Sequence, residues 1–165
     1  MKRIVLTWVI ISILSVLPSC LETNKEISLF NGLKFELNKG EVVNYVDMHV
    51  NDKYTRYFNN RKIQIPLFKY IKNADYEIFI GVPFNTTIDA FIQDQLKNQD
   101  FATTKITYDS ISCYKNSKMD NFYIVEYARN YSNKSLLYIA AISNSLELSD
   151  SLFSMSQLSN RIISR

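Results

Sequence analysis

The chain has almost none of the residues that most often mark a chemical site. Three Gly and three Pro in 165 residues exclude collagen-like, linker-rich and low-complexity architectures. Neither a GxGxxG turn nor a P-loop occurs, so the common phosphate cradles lack their backbone. A single His, His49, removes HExxH zinc chemistry and leaves any Ser-His-Asp arrangement dependent on that one imidazole. No GxSxG motif and no cluster of Cys and His is present, so no metal or cofactor is expected. The two Cys, Cys20 and Cys113, stand 93 positions apart, and the only Trp, Trp8, lies near the N-terminus.

What is present first is an address. Lys2 and Arg3 precede an apolar run over residues 4–16, the basic-then-apolar order of an export signal. A predominantly apolar stretch of 13 residues is too short to span a hydrocarbon core that needs about 20. The run ends in Leu17-Pro18-Ser19-Cys20, which resembles the lipobox of bacterial lipoproteins: an aliphatic residue at minus three, a small one at minus one, then Cys. Pro18 is a less common occupant of minus two. The resemblance implies that residues 1–19 are removed, that the Cys20 thiol is linked to diacylglycerol and acylated with fatty acids such as palmitate, and that the protein is anchored in the cell envelope. Leu21 after the lipid, in place of Asp, favours the outer membrane. Residues 20–28 are expected to be a lipidated tether and residues 29–165 a single domain.

Removing the leader leaves 146 residues, enough for one core. Composition is globular, with 47% hydrophobic and 21% charged residues. Once Lys2 and Arg3 are gone, 17 basic side chains face 16 acidic ones, and this near-neutral balance gives no footprint for nucleic acid. With Cys20 occupied by lipid, Cys113 has no partner for a disulfide. It sits in an apolar, strand-like run without a neighbouring His or cationic cluster, so a buried and inert thiol is expected.

Period-2 alternation predicts strands at residues 33–37, 42–50 and 76–82, a hairpin over 54–65 ending at Pro66, and a meander over 103–114, 122–130 and 136–144. Polar turns are expected at 38–41, 51–52, 115–121 and 131–135. Ile88, Phe91, Ile92, Gln95 and Leu96 fall at helical spacing, which predicts a helix over 86–98 capped by Asn85 or Thr86. Leu148, Leu152, Met155 and Ile162 predict a second helix over 149–163 with Ser149 as its cap. One antiparallel sheet with about two packed helices follows, an α+β domain. From Tyr76 to the C-terminus, the order of strand, helix, three strands and closing helix resembles the PsbP and Mog1 family, a mostly non-enzymatic family that includes bacterial lipoproteins.

Few residues are candidates for chemistry. Asp47 and His49 are expected on one strand face with Asp52 nearby, a pattern open to a carboxylate–imidazole pair or to a solvated polar row. Glu77, Asp89, Asp94, Asp120 and Glu126 could in principle supply paired carboxylates. The aromatic load, 11 Tyr and 10 Phe, suggests either cross-strand packing or a groove built from sets such as Tyr54, Tyr57, Phe58 and Tyr70, or Tyr123, Tyr127 and Tyr138. Two function classes fit. One is a non-catalytic envelope lipoprotein that acts by binding, as an accessory or immunity-type protein with an envelope protein partner. The other is a small lipid-anchored hydrolase or ligand carrier.

Overall fold

The computed structural model describes residues 26–59, 63–82, 86–97, 102–109, 111–132, 135–153 and 158–164. Cys20, the expected export signal and the first part of the expected tether lie outside them. Among the described residues, two antiparallel sheets and three α-helices make an α+β fold. The strands are β1 (Glu26–Ser28), β2 (Leu33–Glu36), β3 (Val42–Asn44), β4 (Leu67–Lys72), β5 (Tyr76–Gly81), β6 (Ala102–Tyr108), β7 (Ser112–Met119), β8 (Phe122–Ser132), β9 (Ser135–Ser143) and β10 (Ile162–Ser164). The helices are α1 (Met48–Tyr54), continued by a π-helical turn over Thr55–Asn59, α2 (Ile88–Lys97) and α3 (Leu146–Phe153). Among the described residues, no helix is long and apolar enough to cross a membrane.

The larger sheet runs β3-β4-β5-β9-β8-β7-β6 and the smaller β1-β2-β10. Consecutive antiparallel pairing of β6 to β9 is the expected meander with one more strand. Alternation along β5 and β9 sends residues to opposite faces. Phe79, Tyr138, Ala140 and Ile142 pack beneath α1, the π turn and α2, with Tyr54, Phe58, Ile88 and Phe91. Ile78, Ile80, Leu137, Ile139 and Ala141 face the other way, where α3 and the small sheet cover them with Leu152, Phe35 and Ile162. Both faces of β5, β8 and β9 at the centre of the large sheet are therefore covered.

Several expectations from sequence are corrected. The run 42–50 is a strand only as far as Asn44, because the Asp47 side chain accepts from Val50 N at 2.8 Å and starts a helix. Residues 51–52 are helical, not a turn, and residues 54–58 continue the helix instead of forming a hairpin arm. Val50, Tyr54, Tyr57 and Phe58 then reach the core at helical spacing. After Pro66 the chain begins β4 instead of ending a strand. Thr87, one residue beyond Thr86, caps α2 by accepting from Ala90 N at 3.2 Å, and Asn85 lies outside the described residues. The segment 115–119 is an interior strand, and the turn that splits the expected run 103–114 is made by Asp109, whose carboxylate accepts from Ile111 N and Ser112 N at 2.8 and 2.7 Å. The last helix begins earlier than expected and runs over Leu146–Phe153. Ser145 caps it, with Leu148 N donating to its hydroxyl at 3.3 Å, while Ser149 lies within it. Met155 lies outside the described residues, and Ile162 belongs to β10. Residues 26–28, expected in the tether, form β1.

Candidate interaction surface

The edge strand β3 and the link that follows it carry an unusual concentration of exposed apolar side chains. Val42, Val43, Tyr45, Val46, Met48 and, across in β4, Phe68 account for six of the nine exposed large hydrophobics among the described residues. Tyr45 is 94% exposed and Met48 72%. Full burial of one such side chain is worth about 1.5–3 kcal/mol, which makes the cluster the candidate contact surface among the described residues. Local chemistry fixes its shape. Val42 and Val43 pair with Lys72 and Ile71, and the Asp47 cap then turns the chain into α1 with Met48 on its outer side. The β4–β5 register shifts between Leu67 and Lys69, next to Phe68. Val43, Asn44, Tyr45, Val46, Phe68 and Lys69 line a groove of about 470 Å³, and the Lys69 ammonium stands 5.0 Å from the Phe68 ring centre.

The residues singled out from sequence do not converge. Asp47 is a helix cap, and His49 and Asp52 are exposed on α1, so the expected shared strand face does not exist. No group of three or more His, Cys, Asp or Glu among the described residues is placed to hold a metal ion. Glu77 pairs with Lys53, Asp120 occupies a left-handed turn at φ 48°, and Asp89 is exposed. Glu126 is buried, accepts from the Tyr138 hydroxyl and lies 3.9 Å from the equally buried Lys115 ammonium. Asp94 stands on α2. The aromatics mostly fill the core: Tyr54, Phe58, Tyr70, Phe79 and Tyr138 form a chain of ring contacts with centroids 5.1–6.3 Å apart. Tyr127 and Tyr138 lie on opposite faces of the sheet, so they cannot share a groove. Cys113 is buried, and burial, reinforced by the Glu126 charge, pushes its thiol up to about 12.

One polar constellation had no sign in the sequence. Arg161, just before β10, donates to the Glu41 carboxylate and twice to the Glu36 carbonyl, at 2.8 and 2.7 Å. Its guanidinium lies 4.2 Å from the Phe35 ring centre. The Tyr76 hydroxyl donates to the other Glu41 oxygen, and burial followed by that hydrogen bond raises the phenol to about 12. Glu41 and Arg161 are 5% and 6% exposed, which marks a closed structural clamp joining the small sheet to the large one.

No family model matches the chain, and neither the curated proteins nor the solved structures contain a match.

Proposed function

We propose that the protein is a bacterial envelope lipoprotein, held by lipid at Cys20, that acts by contact rather than by turnover, as a binding, accessory or immunity-type partner of an envelope protein. The observation that carries this proposal is where the acidic side chains are spent: Glu41, Glu77 and Glu126 are engaged in ion pairs or hydrogen bonds within the fold, and Asp47 and Asp109 hold a cap and a turn. Leu17-Pro18-Ser19-Cys20 supplies the anchor, and Leu21 supports the outer membrane as its destination. The PsbP and Mog1 family, which the sequence from Tyr76 onward resembles, is mostly non-enzymatic, in keeping with a role in binding.

The test is crosslinking in intact cells followed by recovery of the tagged protein. An envelope protein should be recovered repeatedly with the native chain and lost with Cys20→Ser, which leaves the membrane fraction. Turnover of an envelope substrate by the purified protein, with no partner recovered, would contradict the proposal.

A further inference from the structure

We infer that the apolar edge formed by Val42, Tyr45, Val46, Met48 and Phe68 is a membrane-docking rim that settles at the headgroup–acyl boundary of the bilayer in which Cys20 is anchored. The inference rests on the anchoring proposed above and goes beyond it by fixing which part of the domain faces lipid.

Chain length supplies the first argument. Residues 21–25 separate the lipid-bearing Cys20 from β1, and the chain from Cys20 to Glu26 reaches at most about 20 Å. Glu26 enters β1 directly opposite Glu36 of β2. From Glu36 only six residues lead to Val42, folded back by a turn in which Glu41 N donates to the Asn38 carbonyl at 3.1 Å. The start of the domain and the start of β3 are thus both tied to the same end of β2, one by pairing and the other by a five-residue link. The opposite edge of the large sheet, β6, is six strand spacings away, roughly 29 Å at about 4.8 Å each.

Composition supplies the second. Tyr45 and Met48 project into solvent, with a phenol that can stay at headgroup level while its ring enters the acyl boundary. Lys69 stands in the groove beside Phe68, and Lys72 is exposed opposite Val42. Lysines placed so can extend their ammonium groups to lipid phosphates while their stems lie on apolar surface.

The form of the edge supplies the third. A protein strand could add to β3 only along its backbone, but β3 has three residues, and the Val42 carbonyl already accepts from the Asn44 amide at 3.4 Å. Three residues are a short template for strand addition, so the exposed apolar side chains on and beside β3, more than its backbone, are what the edge presents for contact.

The leader removes Trp8, so Tyr45→Trp gives a protein with a single indole, on the rim. Ile111→Trp, in the β6–β7 turn at 47% exposure, gives a control indole near the far edge. The full lipidated protein is reconstituted into vesicles of phosphatidylethanolamine and phosphatidylglycerol, with or without acyl chains brominated near the headgroup. Burial of the rim by about 5–10 Å should shift the emission of the rim indole to shorter wavelength and lower it roughly twofold with brominated lipid. The control indole should not change. Rim emission as insensitive to bromine as that of the control would overturn the docking. Shielding of the rim indole in native envelopes but not in pure lipid would also overturn it, since a protein would then be what covers the rim. The mass of the peptide carrying Cys20 is read from the same sample. An acylated Cys20 with a water-exposed rim indole overturns the docking alone, whereas an unmodified Cys20 overturns the anchoring and the docking with it.

Discussion

The two faces of the large sheet are covered by different means. On one, α1, the π turn and α2 bring Tyr54, Phe58 and Phe91 onto Phe79 and Tyr138, so closure there is a matter of aromatic volume. On the other, β2 from the start of the domain, β10 from its end and α3 supply the cover. There the joint includes a buried ion pair whose partners are 120 positions apart, Arg161 and Glu41. The contrast shows two ways of closing a sheet: bulky rings on helices that lie close to the strands in sequence, and a polar clamp that ties together distant parts of the chain.

The largest effects should come from removing the centre of each closure. Phe79→Ala takes away a ring in contact with Tyr54, Phe58 and Tyr70 and should cost about 3–5 kcal/mol. Arg161→Ala leaves the Glu41 carboxylate buried without its countercharge, at a similar cost of about 3–5 kcal/mol. Denaturant titration measures both, and hydrogen exchange separates them. Loss of Arg161 should raise exchange first in β1, β2 and β10, while loss of Phe79 should raise it across α1 and the large sheet. Equal loss of protection everywhere in the two variants would erase the comparison.

Gly81→Ala probes the helix side at a finer scale. A Cβ there would stand 2.5 Å from Ile65 Cγ2 and 2.6 Å from the Tyr54 hydroxyl, an overpacking worth about 1–3 kcal/mol. On the other face, Ser149→Ala removes the hydroxyl that donates to Asn116 Oδ1 at 3.1 Å and should cost about 1 kcal/mol.

Alkaline titration compares the faces through their phenols. Tyr70 on the helix side and Tyr76 at the clamp both rise from 10.0 to about 12, chiefly through burial. Above about pH 10 the unfolded chain gives up these protons while the folded chain keeps them, so stability falls as pH climbs from 10 toward 12. Tyr70→Phe or Tyr76→Phe should each flatten that fall, as measured by thermal melts across this range. The smallest effect belongs outside both faces: Tyr45→Ser should change stability by no more than about 0.5 kcal/mol.

How much of this was legible depends on how local the cause is. β2, β5 and α2 follow from the period of their own residues, because each buries one side or both against whatever covers it. The same rule failed at Val46, Met48 and Val50, whose alternation imitates a strand. The Asp47 cap and the Val50–Tyr54–Phe58 spacing were the signs of a helix there. Lys115, Asn116 and Ser117 look like a polar turn, yet they are buried in β7 because Glu126 and Ser149 wait for the first two across the fold. Asn31-Gly32, both with positive φ between β1 and β2, is the hairpin signal that would have shortened the tether by placing residues 26–28 in a strand. The candidate surface was half visible. Its apolar residues were in the sequence, but only the edge position of β3 leaves them exposed, and strand order is set by pairings far apart in the chain.

Anchoring at Cys20 is tested most directly by the mass of the protein isolated from envelope membranes. A chain that starts at residue 20 and carries diacylglycerol on the Cys20 sulfur, with further acyl mass at its amino group, is the result predicted. A chain that still contains residues 1–19, or one that starts elsewhere with the Cys20 thiol free, would contradict it.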